Sequence, residues 1–130
     1  LKTAVLTAIA IAISTTSIPH SAFAQTTDIK TSCGGASWYS LRSRTASGEM
    51  MNPAAMTAAH KTLPLGSKVK VTNLKNNRSI IVTINDRGPF IKGRMIDLSK
   101  GAARELDFVH SGVARVQIEA PDGSGTKSCA

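Results

Sequence analysis

Acidic side chains are scarce in this 130-residue chain: 8 Asp and Glu stand against 16 Lys and Arg, a formal charge of +8. That balance favours polyanionic partners and leaves few carboxylates to weigh as catalysts. Cysteine is limited to Cys33 and Cys129. With neither a C-x-x-C pair nor a Cys/His cluster, a metal site has little support and no cofactor is expected. There is no G-x-S-x-G elbow, so acyl transfer on a serine is poorly supported. The main apolar run, Ala4 to Ile13, falls short of the roughly 18 residues a membrane span needs. No internal repeat stands out.

What is present begins with that run. Lys2 precedes it, a polar stretch with Pro19 follows, and Ala22-Phe23-Ala24 stands before Gln25. This is the layout of a secretory signal peptide over residues 1–24, cleaved after Ala24. The remainder, 25–130, suits a single domain with one core. It keeps a formal charge of +7, since Lys2 is the only charged residue of the leader. Export makes nucleic acid the weakest candidate partner and leaves membrane surfaces and acidic wall polymers. In an oxidising compartment, Cys33 and Cys129 are expected to pair. The polar lead-in Lys30-Thr31-Ser32 is unlike that of a lipidated cysteine. The chain therefore reads as a soluble, monomeric, periplasmic or secreted protein without a stable membrane anchor.

Both ends of the exported part, 25–35 and 121–130, are rich in Thr, Ser, Gly and Asp and read as tails. Between them strand signals dominate. Short strands are expected at Ala36–Ser40 and Met56–His60. Lys68–Leu74 alternates Val69 and Val71 against Lys68, Lys70 and Thr72, and Arg78–Asp86 returns after a turn at Asn76-Asn77. Met95–Leu98 is a further strand, and Ser99 caps a helix from Lys100 to about Leu106, in which Gly101 costs about 1 kcal/mol relative to Ala. Gly112–Ala120 places Ala114, Val116 and Ile118 on one face. Short strands with one short helix indicate a small closed β-barrel spanning 36–120.

The carboxylates sort by position. Asp28 and Asp122 lie in the tails, Glu119 on a polar strand face, and Glu105 and Asp107 at the end of the helix. Asp97 reads as a structural acceptor for loop amides or an arginine. Glu49 in "TASGEMM" and Asp86 in "NDRGPF" adjoin turn residues, where loops present side chains at the mouth of a scaffold. Asp86 follows Ile80, Val82 and Ile84 on the apolar face of its strand. An acid at such an edge can hold its proton and donate it to a glycosidic oxygen. The competing reading is an Asx turn through Arg87 and Gly88, or an ion pair with Arg87 or Arg94. His60, ending "TAAH", is able to orient a carboxylate or a sugar hydroxyl, or to serve only the fold. His110 has less to recommend it. Trp38 and Tyr39 are adjacent and on a strand must face opposite sides; either one packs in the core and the other stacks on a sugar ring, or both serve core and rim packing.

Taken together, "ASWYS" at 36–40, "TASGE" at 45–49, "MTAAHKTLPLG" at 56–66, "VKVTNLKNNRSIIVTINDRGPF" at 69–90 and "GRMIDLSKGAAREL" at 93–106 resemble the rare lipoprotein A (RlpA-like) family of bacterial cell-wall proteins. The resemblance implies a mainly β, six-stranded double-psi β-barrel with one or two short helices. It also implies endolytic cleavage of the β-1,4 bond between N-acetylmuramic acid and N-acetylglucosamine in peptidoglycan glycan strands, with preference for peptide-free strands, leaving 1,6-anhydro ends. Carried over residue by residue, it implies Asp86, Glu49 and His60 as catalytic residues. Trp38, Tyr39, Thr45, Ser47, Asn85 and Arg87 follow as substrate contacts. The chain departs from the pattern at Ser40 and Gly101, at Met51, where an aromatic sugar contact often follows the Glu, and at Asp107, where Gly often ends the helix. Two other readings use the same scaffold: a non-catalytic, expansin-like wall-binding module, and a secreted interaction or inhibitor protein.

Overall fold

The computed structural model describes residues 3–5, 7–17, 29–124 and Cys129. Residues 3–5 and 7–17 are exposed and carry neither helix nor strand. The expected cleavage site at Ala22-Phe23-Ala24 lies outside the described residues. None of the described helices is long and apolar enough to cross a membrane.

Six strands and one helix follow in the order β1 (Ser32–Tyr39), β2 (Thr57–His60), β3 (Lys68–Asn73), β4 (Ser79–Asp86), β5 (Arg94–Ser99), α1 (Lys100–Glu105) and β6 (Val113–Glu119). The strands close into a barrel in the order β1-β5-β2-β4-β3-β6. Pairs β1/β5 and β2/β4 are parallel, and the other four are antiparallel. The alternation read from the sequence is the inside of this barrel. Val69 and Val71, Val82 and Ile84, Ile96 and Leu98, and Val116 and Ile118 are all buried and share one core with Ala36 and Ala58. Side chains of this size fill the inside of a small barrel, which leaves the outer surface and the loops to carry chemistry.

The N-terminal boundary differs from the expectation: β1 starts at Ser32, not Ala36. Gly34 and Gly35, which read as a loose tail, are strand residues because β5 runs too close for any side chain. A Cβ on Gly35 would lie 2.7 Å from the Gly93 carbonyl oxygen, and one on Gly34 would lie 2.9 Å from Met95 Cβ. Cys33 is therefore held within the sheet opposite Gln117 and is bridged to Cys129, with Cα atoms 5.9 Å apart.

Ser99 caps α1 as expected, its hydroxyl accepting from Ala102 N at 3.1 Å. At the other end, the Nδ2 groups of Asn73 and Asn76 donate to the Leu106 carbonyl at 2.8 and 3.0 Å. The β3–β4 turn thus closes carbonyls the helix leaves open. Asp107 takes φ 58°, the left-handed conformation for which glycine is the usual residue after a helix.

Gly101 has a packing reason. Its amide donates to Pro53 O at 2.7 Å, and a Cβ there would lie 2.9 Å from Ala54 O and 3.0 Å from Pro53 O. Helix propensity alone favours Ala by about 1 kcal/mol, but the added methyl meets backbone that cannot step aside. Gly101→Ala is expected to destabilise by about 1–3 kcal/mol, measured by urea unfolding. A gain in stability would contradict this contact.

Candidate active site

The position of Asp86 is set by one extra residue. In the β2/β4 pair Ala58 faces Ile84, but the next residue, Ala59, faces Asp86, so Asn85 is bulged out of register. Without the bulge, Asp86 would follow Val82 and Ile84 into the core. With it, Asp86 emerges beside Ala59 on the outer face, where Ala59 also faces Asp97 across the β2/β5 pair and Asp97 faces Ser37 across β1/β5. The reading of Asp86 as an acid on the core face is corrected accordingly: it lies on the outside of the barrel. Two carboxylates, Asp86 and Asp97, share that face two strands apart, about 10 Å by strand spacing, with the small Ala59 as floor between them.

These residues line an open groove of about 320 Å³ together with Tyr39, Leu41, Ser43 and the 87–91 stretch. Its rim is apolar: Phe90 is 82% exposed, Leu41 70% and Ile91 54%. An exposed aromatic of this kind offers a flat apolar face on which a sugar ring can stack. Nothing in the local pattern of "NDRGPF" marks Phe90 as exposed; its exposure follows from the loop after β4.

The two oxygens of Asp86 are held unequally. Its Oδ1 accepts from the amides of Ala46 and Arg87, each at 2.9 Å, while Oδ2 accepts from the Tyr39 hydroxyl at a looser 3.3 Å. Of the expected turn-capping amides, Oδ1 accepts from Arg87 but from Ala46 of another loop in place of Gly88, and Oδ2 faces Tyr39. Burial, and then the Asp86 charge beside it, push the Tyr39 phenol well above its ordinary range. Tyr39 is thus a neutral donor at any working pH.

The Ala46 amide comes from a loop docked onto the end of β4. Arg44 bridges to Met50, Gly48 turns the chain at φ 89°, and Ser47 N donates to Asn85 O at 3.0 Å. Thr45 is buried, its hydroxyl bonded to Ser47 Oγ at 2.9 Å and to the Glu49 carbonyl at 3.0 Å. Ser47 Oγ also donates to Glu49 Oε1 at 3.0 Å, and Glu49 is exposed. One loop therefore brings Glu49 to the Asp86 end of the barrel, with Thr45 and Ser47 as its internal supports. Met51, expected at a sugar-contact position, is buried at 3% exposure, and Met50 is the exposed neighbour. No sugar contact is lost through Met51.

Other expected residues go elsewhere. Trp38 faces the core side of β1, packs against the core, donates its indole N–H to Val109 O at 3.1 Å, and has Lys100 Nζ 5.6 Å from its ring centre. It is not in the groove, and Tyr39 is the aromatic that faces it. Asn85 is buried with its Oδ1 unpartnered. Arg87 lines the groove, but its Nη1 donates to the carbonyls of His60 at 3.1 Å and Leu63 at 2.6 Å. Asp97 pairs with Arg94 at 2.6 Å and accepts from Ser37 Oγ at 2.8 Å, as expected of a structural acceptor.

His60 is not brought to Asp86 by any hydrogen bond among the described residues. Its Nδ1 accepts from the amides of Thr62 and Leu63, both at 3.1 Å, which caps the turn after β2. Burial, then the charges of Arg87 and Lys61, hold its pKa below the ordinary histidine value. With the folded pKa depressed, the unfolded chain binds a proton that the native state refuses. This contribution to stability is complete above about pH 6.5 and is lost as pH falls through the folded pKa. In His60→Asn the loss of thermal midpoint between about pH 7 and about pH 5 should be shallower than in wild type. Equal slopes would contradict this account of the turn.

Known proteins resemble this chain both in sequence and in fold. The sequence model of the lytic transglycolase family matches residues 31–118. A probable endolytic peptidoglycan transglycosylase RlpA from Nostoc sp. is 64% identical over 75 residues, 58% of this chain and 20% of that one. The endolytic peptidoglycan transglycosylase RlpA of Campylobacter jejuni is 53% identical over 93 residues, 69% of this chain and 34% of that one. The Pasteurella multocida protein of the same name is 62% identical over 76 residues, 58% and 26%. The chain thus spans a fifth to a third of these relatives. Among solved structures, the Streptomyces papain inhibitor superposes with TM-score 0.56 at 23% identity, over 69% of this chain and 94% of its own. A Clavibacter michiganensis expansin in complex with cellohexaose gives 0.53 at 23%, over 68% and 48%. At that identity the two share the barrel fold.

Proposed function

The chain belongs to the lytic transglycolase family, and from that premise we propose that it cleaves the glycan strands of peptidoglycan between N-acetylmuramic acid and N-acetylglucosamine, in the bacterial envelope, leaving 1,6-anhydro ends. The observation that carries the reading is the asymmetry of Asp86, with one oxygen tied to two amides and the other in a groove rimmed by an exposed aromatic.

In the proposed reaction, protonated Asp86 gives the proton on Oδ2 to the glycosidic oxygen as its bond to the muramyl C1 breaks. The positive charge that develops on that sugar is met by the exposed Glu49 carboxylate or by the sugar's own acetamido group. The ionised Asp86 then takes the proton from the 6-hydroxyl as O6 bonds to C1. The first proton leaves on the released sugar's hydroxyl, Asp86 ends protonated by the one from the 6-hydroxyl, and no water is consumed. Asp97 is a poor alternative acid because Arg94 already neutralises it at 2.6 Å. Tyr39 steadies Oδ2 in the ionised interval, and His60 acts by holding the 60–63 turn to which Arg87 is tied.

The test is turnover: purified peptide-free glycan strands incubated with the protein should shorten with time. Strands that are bound but never shortened would support a wall-binding module and refute the proposal.

A further inference from the structure

A second and larger concavity, about 730 Å³, shares no lining residue with the groove but begins at the next residue along the chain, Lys92 after Ile91. Its floor is the close approach of Gly35 to Gly93, which leaves backbone where side chains would otherwise fill the space. Its walls carry Lys75, Lys92, Arg94 and Arg115 against a single acid, Asp107. Of the four cations only Arg94 has a salt bridge among the described residues, and its Nε is buried with no acceptor. Lys75, Lys92 and Arg115 repel each other around one concavity, and low-dielectric walls such as Phe108 focus their field outward. A basic chain exposes cations everywhere. Here they converge on a hollow whose lining begins one residue beyond that of the acid groove.

One segment links the two linings. Arg87 to Ile91 line the acid groove, Lys92 to Arg94 line the basic concavity, and Arg94 reaches back to Asp97 in the first. A polymer several sugars long that lies across Asp86 and Phe90 and follows this segment reaches Lys92. Resting on the transglycosylase reading, we infer that the basic concavity is a subsite for the lactyl carboxylates that recur along a peptide-free glycan strand. These groups sit directly on alternate sugars, so they meet a fixed hollow in register with the strand. The carboxylates of stem peptides hang on flexible chains and have no such register. The subsite makes the charged strand, and not an uncharged polysaccharide of the same backbone, the ligand of this chain.

The test is binding of the full chain, on ice, to fluorescently labelled peptide-free strands by anisotropy, against the same strands with carboxylates capped as methylamides. Wild type should bind the native strand on the order of tenfold more tightly, with the preference shrinking as salt is raised to about 0.5 M. In Lys92→Glu/Arg115→Glu, two exposed positions, the preference should vanish while capped strands bind within about twofold of wild type. Lys75→Glu/Lys92→Glu serves if the first pair unfolds. Equal affinity of wild type for native and capped strands would overturn the inference, as would a preference that survives both variants. Tighter binding to stem-bearing strands would overturn the lactyl assignment. Charge-dependent binding to phosphatidylglycerol vesicles but not to strands would replace it with a membrane surface. A protein that makes no anhydro ends yet shows this binding pattern refutes the reaction and leaves the subsite standing.

Discussion

Asp86→Asn is expected to lower the release of anhydro-ended fragments by roughly two to four orders of magnitude, the range for removing a positioned general acid. Asparagine is nearly the same size, and its Oδ1 still accepts from Ala46 and Arg87, so the loop and the β4 bulge should survive. What is lost is the one oxygen able to give and take a proton. The expected signature is therefore a collapse of turnover with strand binding within a few-fold of wild type. Retention of more than about a tenth of the activity would move the acid role elsewhere, with Glu49 the first candidate because the same loop carries it. The geometry favours Asp86 over Glu49 because Asp86 lies in the groove beside Tyr39, whereas Glu49 is exposed.

The second large effect is on stability. Cys33 and Cys129 lie 96 residues apart in sequence, and their bond closes nearly the whole barrel into one loop. In the chain-entropy model such a loop contributes about 4–5 kcal/mol, and loss of a native bridge in a small exported domain costs about 2–5 kcal/mol. For a barrel of this size that corresponds to a fall in melting temperature of at least about 10 °C. The Cys33→Ala/Cys129→Ala variant should show it by calorimetry and lose its sensitivity to reductant, while turnover well below its midpoint stays near wild type because neither cysteine lines the groove. A melting temperature unchanged by the double substitution would contradict the contribution assigned to the bridge.

The strands were legible because their signal is local. Alternation of Val69 and Val71, or of Val116 and Ile118, needs only the chain itself and the fact that one face is buried. The capping of α1 by Ser99 was equally local. What the sequence left hidden depends on other segments. The bulge at Asn85 exists only in register with β2, so the alternation that appears to carry Asp86 into the core is broken by a partner strand that ends at His60, far back along the chain. Gly34 and Gly35 resemble a tail until β5 lies against them, and Gly101 resembles a weak helix residue until the Pro53–Ala54 backbone does.

The site was legible in part for the same reason. Asp86, Glu49 and the supporting Thr45 and Ser47 converge through one loop and one strand end, and short motifs carry them. Facing choices between neighbours are harder to read. Trp38 and Tyr39 were known to point apart, but which one meets the groove follows from the pairing of β1 with β5. Met51 sits inside and Met50 outside for a comparable reason, the Arg44–Met50 bridge. Exposure of Phe90 follows from a loop conformation that no periodicity encodes.

In the proposed reaction a single carboxyl, Asp86, both gives and takes a proton, so that the sugar's own hydroxyl replaces water. Mass spectrometry of glycan fragments produced by wild type in heavy-oxygen water tests this. New ends should be lighter than a hydrolysed end by one water and free of heavy oxygen. Reducing ends that carry heavy oxygen would contradict it.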